Sequence, residues 1–138
     1  MEPVSLGLTS LPLMYDVLAP DGSEIRILAR TDQASMAHGT LAPSGISRAI
    51  RHATVAEIWF VLGGAAEIWR KSGDQESVDT VRTGDSLTIP VGCTFQFRTV
   101  GAQPFTFIMC TTPPWSDPSE AAFVEGHWTE DAETDDAE

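Results

Sequence analysis

The sequence predicts an all-β fold, a sandwich or a barrel, in a single domain. Short runs rich in Val, Ile, Thr, Phe and Trp recur along the chain, and such residues fit a pleated, half-buried surface. Turn signals separate them at close spacing: Ala19-Pro20-Asp21-Gly22, Ala42-Pro43-Ser44-Gly45, Gly63-Gly64, Thr83-Gly84-Asp85 and Pro90-Val91-Gly92. No stretch carries a long amphipathic helical period. At 138 residues the chain is long enough to bury a substantial core.

Residues 1–14, with Pro3 and Pro12, read as an arm or edge strand lying over the core. Glu24 to Arg30 alternates apolar and charged residues and predicts a strand. Residues 35–41 and 46–52 predict two more, and Gly63-Gly64 turns a hairpin whose second arm covers 65–70. Four further strands are expected at 77–81, 86–89, 94–100 and 105–111, with a weak helical tendency at 118–124. Pro113-Pro114-Trp115 and Gly126-His127-Trp128 look like segments that fold back as a lid or a dimer contact. The organisation is therefore an N-terminal arm with edge strands at 1–35, a core at 36–112, a C-terminal segment at 113–129 packing on the core or on a dimer partner, and an acidic tail at 130–138.

The net charge of −12 argues against nucleic acid and anionic membrane as partners, which select basic surfaces. Glu130, Asp131, Glu133, Asp135, Asp136 and Glu138 place part of that charge in a run that reads as solvated tail. Two cysteines, Cys93 and Cys110, are too few for a disulfide framework and lack zinc spacing, so both read as reduced packing residues in a cytoplasmic protein. The N-terminus lacks a secretory pattern, and no run reaches membrane-spanning length.

The centre of the chain is the stretch from Arg51 to Gly64. Glu57, Trp59 and Val61 share one strand face; Ile58, Phe60 and Leu62 share the other. Both faces are apolar apart from Glu57. A carboxylate there is costly unless paired, which makes Glu57 the first residue to explain.

These residues resemble the cupin family. Gly45, His52, Glu57 and Gly64 fit its first motif, with the spacer after Gly45 one residue short, and Gly84, Pro90 and Gly92 fit its second; the likeness spans about residues 36–112. It implies a double-stranded β-helix, a jelly-roll barrel with one pocket inside. It also implies where a metal would be held. Glu57 and His52 keep two ligand positions, whereas Ile50 and Phe95 occupy the other two histidine positions and Thr99 the asparagine position. Two protein ligands fall short of the three that hold a divalent ion firmly, so the motif is degenerate and no cofactor is expected. One rescue is His38 on the preceding strand. With His52 and Glu57 it would make a set suited to iron, manganese, zinc or nickel.

The resemblance and the alternation together place Arg48, Ile50, Trp59, Val61, Phe95 and Phe97 around His52 and Glu57. The expected ligand is a small apolar or aromatic molecule. The leading expectation is an enzyme of isomerase, cyclase or lyase type, with His52 as acid/base, Glu57 orienting it and Arg48 anchoring substrate. The alternatives are a non-catalytic binding cupin and a metal-dependent oxygenase using His38, His52 and Glu57. A bland reading also stands, in which Glu57 is tied to Arg48 or a backbone amide and Trp59 is simply core. His127 reads as surface or interface. The apolar set Ile58, Phe60 and Leu62 predicts cover by the N-terminal arm or a homodimer partner.

Overall fold

The computed structural model describes residues 6–129; the acidic tail at 130–138 and the first five residues lie outside the described residues. Among the described residues eleven strands run in order: β1 (Val17–Leu18), β2 (Glu24–Arg30), β3 (Ser35–Leu41), β4 (Ile50–His52), β5 (Ala56–Gly63), β6 (Ala65–Ser72), β7 (Gln75–Arg82), β8 (Ser86–Ile89), β9 (Thr94–Val100), β10 (Phe105–Thr112) and β11 (Ala121–Phe123). The helical tendency at 118–124 is realised as one 3-10 turn, Pro118–Glu120, capped by Asp117. The strand expected over 46–52 forms only at Ile50–His52, with an isolated bridge from Ile46 to Arg98.

The strands make a six-stranded sheet, β1-β2-β3-β10-β5-β8, and a five-stranded sheet, β11-β4-β9-β6-β7. The expected double-stranded β-helix closed into a jelly-roll barrel is not formed. Among the described residues both sheets are open, and no ladder joins the edge of one to the edge of the other. The edges explain this. β1 has two residues, β11 three and β8 four, too short to carry a ladder onward. β7 is exposed except at Val81 and polar except at Val78 and Val81. Where β6 nears β8, a side chain makes the link: Arg70 Nη1–H donates to the Thr88 carbonyl at 2.9 Å.

One core lies between the sheets. Ile25, Leu41, Trp59, Val61, Leu87, Ile89, Phe105, Phe107 and Met109 face in from the first sheet, and Ile50, Ala66, Ile68, Val81, Phe95 and Phe97 from the second. The Trp59 and Phe107 rings stack with centroids 4.1 Å apart. Such a contact adds about 1 kcal/mol beyond the area it buries. Gly39 is part of this packing, because a Cβ there would collide with the Phe107 ring. Gly64 turns the β5–β6 hairpin at φ +71°, a left-handed conformation suited to glycine.

The chain beyond β10 returns as a strap. The Trp115 N–H donates to Ser35 Oγ at 3.0 Å, β11 pairs antiparallel with β4, and the Val124 N–H donates to the Ala49 carbonyl at 3.1 Å. Buried Gln96 clasps the end of the strap. Its Oε1 accepts the N–H groups of His127 and Trp128 at 2.8 Å each, and its Nε2 donates to the carbonyls of Ser47 at 2.8 Å and Trp128 at 2.9 Å. Among the described residues no helix is long and apolar enough to cross a membrane.

Candidate functional site

Glu57 enters the core because it sits in register with Trp59 and Val61 on the inner face of β5. Its cross-strand neighbours are Thr111 on β10 and Ile89 on β8, both buried. Residues two apart on a strand share a face, so Trp59 can reach back: its Nε1–H donates to Glu57 Oε1 at 2.7 Å. His52 arrives from the other sheet, at the end of β4. Its Nδ1 lies 3.8 Å from Glu57 Oε2, and the two residues are 3% and 4% exposed. That separation is too long for a hydrogen bond, and His52 Nδ1 is buried without a partner in the structure.

Aromatic rings wall the pair. The rings of Phe95 and Trp115 meet the His52 ring edge-on, with centroids at 5.5 and 5.2 Å. Trp59 meets Phe95 and Phe97 in the same manner. His52 and Glu57 therefore sit in an aromatic pocket closed on one side by the strap.

This enclosure inverts the usual proton order. Burial pushes Glu57 up to about 7; the Trp59 bond opposes the rise, and the charge of Asp21 adds to it. Burial pushes His52 down to about 4, against a smaller opposing pull from Glu120. Asp21 lies in the turn between β1 and β2 and is itself raised by burial. Its Oδ1 accepts from Ser23 Oγ at 2.7 Å and Ser23 N at 2.9 Å, which opposes that rise.

Of the residues expected around the site, Ile50, Trp59, Val61, Phe95 and Phe97 lie in the core, and Ile50 pairs directly with Phe95 across β4 and β9. Arg48 precedes β4, so strand alternation does not govern it; its guanidinium lies 4.7 Å over the Phe123 ring at the sheet edge. His38 is on the wrong face. On β3 the inward residues are Ala37, Gly39 and Leu41, while His38 stands opposite Arg26 and Ile108 on the outer side. Burial lowers its pKa, with a further lowering from Arg26. His127 stacks on Trp69, centroids 5.5 Å apart, on the outside of the five-stranded sheet. Two open surface clefts, one beside Glu67 and Arg98 and one beside Arg82, include neither His52 nor Glu57.

Three neighbours of the pair were not singled out as site residues by the sequence: Asp21, Thr54 and Glu120. Glu120 reaches from the strap to Thr54 and Val55, immediately beyond His52. Its signal was weak, because 66 residues separate it from Thr54.

The sequence profile of the cupin domain matches residues 37–111. The chain belongs to the cupin domain family. No curated protein matches the sequence. Among solved structures, this cupin is similar to the capsular polysaccharide assembling protein CapF from Staphylococcus aureus, with TM-score 0.69, 22% identity, and coverage of 84% of this chain and 35% of that one. It is also similar to oxalate decarboxylase from Bacillus subtilis, with TM-score 0.65, 13% identity, and coverage of 77% and 28%. A third likeness is to an uncharacterized conserved protein from Klebsiella pneumoniae, with TM-score 0.64, 19% identity, and coverage of 80% and 91%. These likenesses concern the fold, and the chain spans about a third or less of the first two proteins' length.

The metal site of this cupin is degenerate. Among the described residues no three His, Cys, Asp or Glu side chains gather to hold an ion. The structure gives the reason: Ile50 and Phe95 stand beside His52 as buried apolar walls, and His38 faces away. The donor set of His52 and Glu57 does not fit a resident divalent metal.

Proposed function

We propose that this cupin is a small-molecule enzyme that performs metal-independent acid/base chemistry of the isomerase, cyclase or lyase type. The observation that carries this reading is the His52–Glu57 pair: 3.8 Å apart, enclosed by aromatic rings, with the carboxyl near 7 and the imidazole near 4. Between those values the pair is neutral, an imidazole base beside a carboxylic acid. Divergent environments of this kind separate an acid role from a base role.

The geometry supports a division of labour. Trp59 occupies Glu57 Oε1 as donor, which leaves the proton to Oε2, the oxygen nearer His52. His52 Nδ1 has no hydrogen-bond partner, and this reading gives it the acceptor role. A substrate reaching both would give one proton to Nδ1 and take another from Oε2 at a second atom, the net result of an isomerisation or elimination. The imidazolium and carboxylate left behind are adjacent, and transfer of the proton from one to the other restores the starting state. The wall of Phe95, Trp59 and Trp115 suits an apolar or aromatic body. The reading extends to a homodimer through the outer face of β5, where Ile58, Phe60 and Leu62 are 59%, 47% and 42% exposed.

The test is a ligand and turnover screen on wild type and His52→Gln. The expected outcome is turnover that His52→Gln reduces at least a hundredfold with affinity kept within a few-fold. Tight binding with no turnover in either protein would instead make this a non-catalytic binding cupin.

A further inference from the structure

We propose that Thr54 and Val55 form a carboxylate site for the ligand of this pocket, and that the chain's own Glu120 holds the site shut. Glu120 is bound as an incoming acid would be. The Thr54 N–H donates to Oε1 at 2.7 Å, Thr54 Oγ1–H to Oε2 at 2.6 Å, and the Val55 N–H to Oε1 at 3.2 Å. Both carboxylate oxygens are engaged by fixed donors, two of them backbone, a geometry that selects a planar anion.

The position gives these donors a role beyond fastening the strap. Thr54 lies two residues past His52. Ala121, next to Glu120, pairs with His52 across β4 and β11, and Trp115 on the same strap covers the His52 ring. Release of the Glu120 side chain thus frees three donors next to the buried pair, while the strap backbone stays on β4 through the Ala53 N–H to the Glu120 carbonyl at 2.9 Å. The Thr54 contacts are solvent-exposed, so a second carboxylate can compete for them, whereas the pair behind them is nearly dry. A ligand with a carboxylate at one end and an apolar or aromatic body matches both parts. The site therefore takes small aromatic or apolar carboxylic acids, with Thr54 and Val55 as the anchor. This assignment rests on the proposal that the pocket takes a small ligand, and it needs no catalytic step.

The experiment titrates phenylacetate, with benzyl alcohol as the uncharged control, into wild type, Glu120→Ala, Glu120→Gln and the double variant Glu120→Ala/Thr54→Val, reading calorimetry and tryptophan fluorescence. Glu120→Ala should bind phenylacetate at least tenfold tighter than wild type and Glu120→Gln by a smaller factor. The double variant, which removes the hydroxyl donor and keeps the two backbone donors, should lose part of the gain, and benzyl alcohol should distinguish the variants by less than twofold. Thermal melts confirm that each variant is folded, and Glu120→Gln keeps the test valid if the alanine variant is not. Phenylacetate that binds no variant, or that binds both folded Glu120 variants no tighter than wild type, would overturn the assignment. Because the readout is affinity, the two proposals can fail separately: a gain without turnover in the screen leaves this site standing, and turnover without a gain removes it alone.

Discussion

At the scale of single residues, the proton balance of Glu57 and His52 has a measurable effect on stability. Glu57 rises from 4.5 to about 7, so the folded chain keeps a proton that the unfolded chain releases. Its contribution is full below about 4.5 and is lost as pH rises through about 7. His52 falls from 6.5 to about 4, so its contribution is present above 6.5 and lost as pH falls through about 4. The two slopes offset each other between 4.5 and 6.5. Glu57→Gln should therefore be more stable than wild type at pH 8 by up to about 3 kcal/mol, on the order of 1.4 kcal/mol per pH unit of displacement, with the gap closing by pH 4. Urea denaturation at the two pH values checks this. The proposed chemistry needs the neutral pair, so kcat should form a bell with limbs near 4 and 7, and a profile that keeps rising above pH 8 would sink the assignment of Glu57 as acid. Gly39→Ala should cost about 1–3 kcal/mol by driving a methyl group into Phe107, read as a lowered denaturation midpoint. Glu57 was legible in the sequence because a carboxylate amid Ile, Trp, Phe and Val is conspicuous. The face of His38 was not, because alternation gives relative and not absolute direction. Arg48 misled because the rule was applied from position 46, four residues before β4 begins.

At the scale of elements, β2, β3, β8 and β9 have the bounds that alternation and turn residues predicted, since each lies between strong local signals. The segment at 118–124 followed its local helical tendency for one turn only. Asp117 and Pro118 start one 3-10 turn, and the open edge of β4 then takes residues 121–123 as a strand. A sheet edge formed some 70 residues earlier overrides a weak propensity, and no local window contains it. The strap depends in turn on Gln96, whose amide makes four hydrogen bonds while the residue is 1% exposed. Gln96→Ala leaves buried backbone groups unmatched and should cost about 2–4 kcal/mol. Proteolysis should then cut first within 113–129 and leave strands β2 to β10 resistant. Equal loss of protection throughout would show that the strap and the core are one cooperative unit.

At the scale of the whole molecule, an all-β chain with a hairpin about Gly63-Gly64 was legible, because turn spacing and composition determine it. Failure of the barrel to close was not, because it depends on edge strands only two to four residues long and on the polarity of β7, while the family motif spans only the middle of the chain. The exposed outer face of β5 bears on assembly. Phe60→Lys should halve the sedimentation mass and leave the melting temperature within a few degrees; an unchanged mass would remove the homodimer from the proposal. The strand order carries one more consequence. β3 and β5 each rest against β10, the last long strand of the chain. During synthesis neither can be completed until residue 112 has left the ribosome, so the nascent chain waits with two edges of the central sheet unpaired. Such high contact order makes folding slow relative to a helical protein of the same size. Until the final third of the chain arrives, those open edges are the surfaces most exposed to pairing with another chain.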